Sequence, residues 1–251
     1  MALPAMPRPL ASLQAGGMPG EGETMDSDIK VALAARELAY GVFWRLFSEG
    51  PDNELLKTLQ RKEFEEALQL VMGEGALDVD RLRSRVEEIA QKMELDADGF
   101  LDELKSEYMR DFVGPGKLVA YPWESMNVEG DKSLFQGCTI EVRREFVRHG
   151  LQPVHYGSVA DDHLALELHF LFKLTEECIH LVDEGDCAQA RTVLEDERSF
   201  SSRHLLNWVP AYVHDFQEKR CGSFYAFWLG LLLELLKADH CLLGELIDEM
   251  A

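Results

Sequence analysis

The sequence has few cysteines and no arrangement that would make them structural. Only five occur in 251 residues, and no two stand closer than nine positions apart. This spacing gives neither a disulfide framework nor a C-x-x-C metal motif, and it favours reduced thiols in a cytoplasmic protein. The cysteines are Cys138, Cys178, Cys187, Cys221 and Cys241.

Basic residues are also scarce. The chain has 25 Lys and Arg against 46 Asp and Glu, which gives a formal net charge of −21 at pH 7. This balance disfavours nucleic acid or an anionic membrane surface as a partner, because both need a basic protein surface. It favours a cationic ligand.

Long apolar runs are missing. The longest, residues 224–233 (FYAFWLGLLL), is interrupted soon afterwards by Glu234 and Lys237, whereas a membrane-spanning helix needs about 20 apolar residues. We therefore expect a buried core helix here and no membrane insertion. The first 25 residues lack the apolar core of a secretory signal, which also favours a cytoplasmic location.

Strand-like alternation is absent too, and apolar residues recur at helical spacing. Leu38, Val42 and Leu46 are one such series. The pattern predicts an all-α fold, with a single domain of about ten helices over residues 28–251 after a disordered tail over residues 1–27. The longest helix is predicted over residues 159–184, with Ser158 as its N-cap. Helix breaks are predicted at 48–51, 73–75, 96–99, 113–136, 150–153 and 185.

Signatures of catalysis are weak. Gly114-Pro-Gly116 is neither a G-x-G-x-x-G nor a Walker A sequence, and no serine stands in a G-x-S-x-G elbow. His163, Glu167 and His169 leave open a helical metalloenzyme, since His and Glu at i and i+4 can share a metal ion. The alternative is an ordinary pair on a helix surface.

A peptide-binding groove is better supported. Residues 113–136 form a long irregular stretch that contains Tyr121 and Trp123, and long loops in compact domains are often functional. Carboxylates can bind guanidinium groups through paired hydrogen bonds, and a tryptophan face adds a cation–π contact. The carboxylates in question are Glu124, Asp161, Asp162 and Glu167. Both groups of residues have an alternative interpretation. Acidic residues in a first helical turn interact favourably with the helix dipole whatever their function. The aromatic residues of the loop can simply cover the core.

Several motifs together resemble those of the TorD/DmsD/NarJ family of redox-enzyme maturation chaperones. They are residues 107–115 (EYMRDFVGP), residues 121–125 (YPWES) and residues 161–163 (DDH) with Glu167 downstream. Residues 36–47 (RELAYGVFWRLF), 207–211 (NWVPA) and 224–225 (FY) resemble other parts of the family. The chain departs from the common pattern at Ala160 and at Met126-Asn127.

The resemblance implies a cytoplasmic, all-helical chaperone that is not an enzyme and needs no cofactor. Such a chaperone binds the twin-arginine signal peptide of a molybdenum-cofactor oxidoreductase of the DMSO or TMAO reductase type. It assists the folding of that enzyme, cofactor insertion and proofreading before export, as a monomer or a domain-swapped dimer. The resemblance and the groove together predict as peptide-binding residues Tyr108, Phe112, Tyr121, Pro122, Trp123, Glu124, Asp161, Asp162, His163 and Glu167. We expect Trp123→Ala or Asp162→Ala to weaken the binding of a twin-arginine peptide while helicity and the melting temperature stay nearly unchanged.

Overall fold

The computed structural model describes residues 21–114, 116–128, 137–152 and 160–250. These residues form nine α-helices and no strand, which confirms the all-α prediction. Most of the predicted tail, residues 1–27, and the predicted N-cap Ser158 lie outside the described residues. The helices are α1 (Glu21–Ser48), α2 (Asn53–Leu59), α3 (Lys62–Met72), α4 (Val79–Tyr108), α5 (Gly137–Arg148), α6 (Leu164–Glu184), α7 (Cys187–Arg203), α8 (Leu205–Lys219) and α9 (Phe224–Glu249).

The core lies where α1 packs against α6 and α3, with α7 and α9 completing the bundle. Phe43, Leu171 and Trp228 are among its fully buried side chains. The apolar run at the start of α9 is part of this core, as predicted. None of the described helices combines the length and the apolarity that crossing a membrane requires.

Helix α4 is bent where the sequence predicts a break. Asp96 leaves helical geometry (φ −157°, ψ 87°), and its carboxylate accepts a hydrogen bond from the backbone N–H of Gly99 at 3.0 Å. This bond caps the second half of the helix, as an N-cap aspartate does at any helix start. After Tyr108 the chain continues into a π-helical turn, Met109–Val113, which ends at Gly114 with φ 96°.

Helix α6 begins later than the sequence predicts. Its first residue is Leu164, and His163 is the N-cap, with its ring Nδ1 accepting a hydrogen bond from the N–H of Ala165 at 3.1 Å. Asp161 and Asp162 therefore precede the helix and do not belong to its first turn. The prediction was wrong there because their side chains bond to groups distant in sequence, which periodicity cannot reveal.

Candidate functional site

Two segments far apart in sequence meet through the backbone in front of α6. The N–H of Glu124 donates to the carbonyl of Asp162 at 2.9 Å, and the N–H of Leu164 donates to the carbonyl of Pro122 at 2.9 Å. Between these two bonds, Trp123 and His163 pair as an isolated antiparallel bridge. The predicted aromatic loop and the predicted acidic segment are thus joined, and we call this region the loop junction (residues 121–127 and 161–164).

Trp123 and His163 are the side chains at the centre of the loop junction. Their ring centroids lie 4.8 Å apart with the planes at 76°, an edge-to-face contact, and both residues are half-buried. Burial lowers the pKa of His163 to about 4, although the neighbouring Asp162 acts in the opposite direction. The imidazole is therefore neutral near pH 7, which suits its role as a hydrogen-bond acceptor at the start of α6.

Asp162 is fully buried and connects the loop to α5. One carboxylate oxygen accepts from the backbone N–H of Ser125 at 2.8 Å, and the other accepts from the hydroxyl of Thr139 at 2.8 Å. These two bonds predict that Asp162→Ala lowers the melting temperature, in contrast to the expectation from the sequence. That substitution would leave a buried N–H and a buried hydroxyl unpaired, and each such group costs about 1–3 kcal/mol.

The other three predicted carboxylates are buried as well. Asp161 pairs with Arg143, and Glu124 lies 2.9 Å from Nδ1 of His204. Glu167 accepts from the indole N–H of Trp208 at 3.1 Å. The carboxylates thus form the interior of the site, and a ligand would first meet Tyr121, Trp123 and His163, which are half-buried above them.

Glu167 is in an unusual electrostatic position. Its pKa is raised well above the ordinary value, first by burial and then by the neighbouring Glu124 and Asp162, and the bond from Trp208 offsets this only in part. Burial beside these acidic neighbours therefore favours the protonated, uncharged form of the group. Among the described residues, its second oxygen has no hydrogen-bond partner, and the same holds for Nε2 of His204.

Tyr108 and Phe112 stack on each other as their spacing predicts, with ring centroids 5.4 Å apart. Beyond each other, their aromatic and hydrogen-bonding contacts are with Phe47, Ser48, Phe216 and Tyr225. None of these four belongs to the predicted peptide site. Burial raises the pKa of Tyr108 to about 12. The pair therefore anchors the end of α4 in the core, and the described contacts do not link it to the loop junction.

The proposed metal set does not assemble. His163 caps α6, Glu167 bonds to Trp208, and the ring of His169 stacks on Trp44 with centroids 4.0 Å apart. The helical metalloenzyme with these three ligands is therefore wrong, because each side chain is committed to a different neighbour. Across the described ranges, the one group of three ligand-type side chains close enough to share an ion is exposed on α8. It comprises His214, Asp215 and Glu218.

Sequence reasoning missed several residues that build the site. Thr139 and Arg143 lie one turn apart on α5 and hold Asp162 and Asp161. His204 approaches from the α7–α8 junction, 80 residues beyond its partner Glu124. Trp208, the partner of Glu167, belongs to the NWVPA motif, which the sequence analysis had noted. Thr139, Arg143 and His204 belong to no recognisable local sequence pattern.

Comparison with known families gives one match, over residues 75–214, to the family described as "Nitrate reductase delta subunit". The matched segment contains both halves of the loop junction. It also contains the π-helical turn at the end of α4.

Individual relatives carry the name "Chaperone protein TorD". The chain is 31% identical over 153 residues to the one from Vibrio cholerae serotype O1, covering 59% of this chain and 65% of the relative. It is 24% identical over 144 residues to that of Photobacterium profundum, covering 57% and 65%. It is 25% identical over 138 residues to that of Aliivibrio salmonicida, covering 55% and 62%. The chain thus spans somewhat less than two thirds of the length of these relatives.

Proposed function

Because the chain belongs to the nitrate reductase delta subunit family, we propose that it is a chaperone for the maturation of a redox enzyme. The resemblance recognised from the motifs is thereby confirmed. The relatives are named as chaperones and the family is not one of enzymes, in agreement with the prediction of a protein without catalysis. The family and its relatives support the general role.

The finer proposal is that the chain binds the twin-arginine signal peptide of a molybdenum-cofactor oxidoreductase of the DMSO or TMAO reductase type. It does so in the cytoplasm, and it assists folding, cofactor insertion and proofreading before export. The net charge of −21 supports a cationic ligand. No nucleic acid and no membrane-inserted state enter this proposal.

The peptide-binding surface in this proposal is the loop junction. A guanidinium group can stack on the rings of Tyr121 and Trp123, which are half-buried and face partly outward. The acidic side chains of Asp161 and Asp162 are buried in the same loop junction and are fixed by internal hydrogen bonds and an ion pair. The single observation that carries the assignment is the backbone pairing of Trp123 with His163, which presents both rings together.

Helix α5 supplies an apolar surface beside the loop junction. Thr139 of α5 bonds to Asp162, and the next residue, Ile140, has 46% of its surface exposed. Val147 lies two turns further along and is 63% exposed. Residues seven apart share one face of a helix. In the proposal, the apolar part of the signal peptide covers these two side chains.

Trp123→Ala tests the site. We expect it to weaken the binding of a synthetic twin-arginine signal peptide roughly tenfold or more, because about 1.4 kcal/mol of stacking and apolar contact is lost. Isothermal titration calorimetry measures the affinity. The matched control is Phe227→Ala, which removes a half-buried aromatic residue that packs on Arg81 and Arg85.

Two results would contradict the proposal. Equal affinity in the wild type and Trp123→Ala would remove the loop junction as the site. A wild-type protein that binds the peptide no better than a version with both arginines replaced by glutamine would remove the twin-arginine ligand.

A further inference from the structure

A cationic pocket lies at the end of α4, on a molecule that is otherwise strongly acidic. It is an open depression of about 750 Å³ beside the π-helical turn and the start of the segment that follows it. The basic side chains that line it are Lys105, Arg110, Lys117 and Arg220. We propose that this pocket binds an acidic polypeptide segment of the client protein, at a surface separate from the loop junction.

Two of the four basic groups are held in place. The carboxylate of Asp111 is fully buried, and it pairs with Arg110 at 2.8 Å and with Arg220 at 2.8 Å. The two arginines lower the pKa of this carboxyl group, although burial acts against them. One buried carboxylate thus fixes two arginines that line the pocket and neutralises only one of their two positive charges.

The other two basic groups are available to a ligand. Lys105 and Lys117 are exposed, and neither makes an ion pair with any residue in the part of the chain that is described. The acidic members of the region are Asp102 in the wall, Asp111 underneath and Glu107, which interacts electrostatically with Arg110 and Asp111. Four basic groups against three acidic ones leave a local excess of one positive charge in a chain with a net charge of −21.

Apolar side chains next to the pocket indicate a peptide as its occupant. Met109 is 49% exposed and lines the wall, and Val113 is 55% exposed at the other end of the same π-helical turn. Such turns are often found at functional positions of helices. An inorganic anion has no group to cover these side chains, whereas a segment with both acidic and apolar residues does. The backbone N–H of Gly114 already donates to the carbonyl of Met109 at 2.8 Å, so it is not available to bind a small anion.

The pocket is joined to the loop junction by a short, anchored segment. Tyr121 lies four positions after Lys117, so their Cα atoms lie at most about 14 Å apart. Leu118 and Ala120 are buried, and Lys219 donates to the carbonyl of Val119 at 2.6 Å. A client whose signal peptide is bound at the loop junction can place a second segment in the pocket. Binding at the first surface raises the effective concentration of the second segment at the pocket. The identity of the partner, though not the pocket, rests on the proposed function.

The test uses the full chain with both exposed lysines neutralised, Lys105→Gln with Lys117→Gln. The probe is a fluorescein-labelled peptide of ten alternating glutamate and leucine residues, and its anisotropy is measured at low salt. We expect the double variant to bind at least about tenfold more weakly, and we expect wild-type affinity to fall as salt rises. Lys237→Gln is the matched control, since this lysine of α9 is also exposed and lies outside the pocket.

Several outcomes would overturn the proposal. They are a wild-type protein that does not bind the peptide, a double variant that binds it as well as the wild type, and equal binding of a glutamine–leucine version. Binding of tripolyphosphate in place of the peptide would also do so, because it would identify a phosphate site.

The twin-arginine peptide is titrated into the same proteins, and we expect the double variant to bind it with unchanged affinity. Loss of twin-arginine binding in every protein, with the acidic peptide still bound, would remove the proposed signal-peptide function and leave the pocket.

Discussion

The surroundings of Glu167 strongly change the pKa of its carboxyl group. Its carboxyl group is buried beside Glu124 and Asp162, and it accepts a single hydrogen bond, from Trp208. Its pKa is consequently raised well above the value in the unfolded chain. The sequence predicts Glu167 as one of four carboxylates that bind an arginine of the ligand, but in the fold its surroundings favour the uncharged acid.

This raised pKa makes a pH-dependent contribution to stability. The unfolded chain releases the proton of Glu167 near the ordinary value, about 4.3, whereas the folded chain keeps it to a higher pH. The free energy of unfolding therefore falls as the pH rises from about 4 through the raised pKa, by about 1.4 kcal/mol for each pH unit that separates the folded from the unfolded pKa. Below about pH 4, Glu167 is protonated in both the folded and the unfolded chain, so its contribution to stability is fully present and no longer changes with pH.

Glu167→Gln removes the titration and keeps the shape and an acceptor for Trp208. We expect the variant to be more stable than the wild type at pH 7, by about 1 kcal/mol or more, and equal to it near pH 4. Urea unfolding across this range measures the difference. Glu74→Gln, at an exposed turn after α3, is the control. Parallel pH profiles for the wild type and Glu167→Gln would contradict the assignment of a neutral acid.

At the scale of single helices, α4 shows how a bend is stabilised. Asp96 accepts from the N–H of Gly99, and a Cβ built at Gly99 would lie 2.2 Å from that carboxylate. A side chain at this position would therefore displace the capping carboxylate, although alanine is normally the better helix former by about 1 kcal/mol.

A double-mutant cycle tests this account of the bend. We expect Gly99→Ala in the wild type to have little net effect, because the loss of the cap, about 1 kcal/mol, offsets the gain in helix propensity of about 1 kcal/mol. In an Asp96→Ala background the same change should stabilise by about 1 kcal/mol, since the clash is gone. Thermal unfolding followed by circular dichroism gives both values. Additive effects would show that the cap and the glycine are independent.

Elements that depend on local pattern were predictable from the sequence. The bend at Asp96, the burial of the apolar run in α9 and the segment Gly137–His149, now α5 ending at Arg148, all follow from spacing and breakers. The start of α6 was not predictable, because Asp162 bonds to Ser125 and Thr139, which lie 37 and 23 residues away. The sequence correctly placed the two halves of the loop junction in one groove, because their aromatic and acidic residues suit the same cationic ligand and because the motifs resemble those of a known family. It could not reveal that their carboxylates face inward.

At the scale of the whole molecule, one buried arginine connects four helices. Arg36 of α1 pairs with Asp239 of α9 at 2.6 Å and with Glu197 of α7 at 2.7 Å. Thr175 of α6 donates to Glu197 at 2.9 Å, and Tyr40 donates to Asp239 at 2.5 Å. All five side chains have no exposed surface, so the charges depend entirely on one another.

Arg36→Met should destabilise the fold by about 3–5 kcal/mol, because it leaves two buried carboxylates without their counter-charge. Adding Glu197→Gln and Asp239→Asn to that variant should restore part of the loss, since no buried charge then remains unpaired. Urea unfolding measures each variant. Arg83→Met, which breaks an exposed pair with Glu65, should cost less than about 1 kcal/mol. A similar loss for both arginines would contradict the central role of Arg36.

The contact between Glu124 and His204, which lie 80 residues apart in sequence, determines when the site can form during synthesis of the chain. The loop that carries Trp123 is made early, but its partners arrive later: Asp162 first, and His204 and Trp208 only with the end of α7 and the start of α8. A ribosome must therefore translate past residue 208 before the site can close. Until then the growing chain has no finished loop junction to offer, so the site forms only after the first residues of α8 have been made.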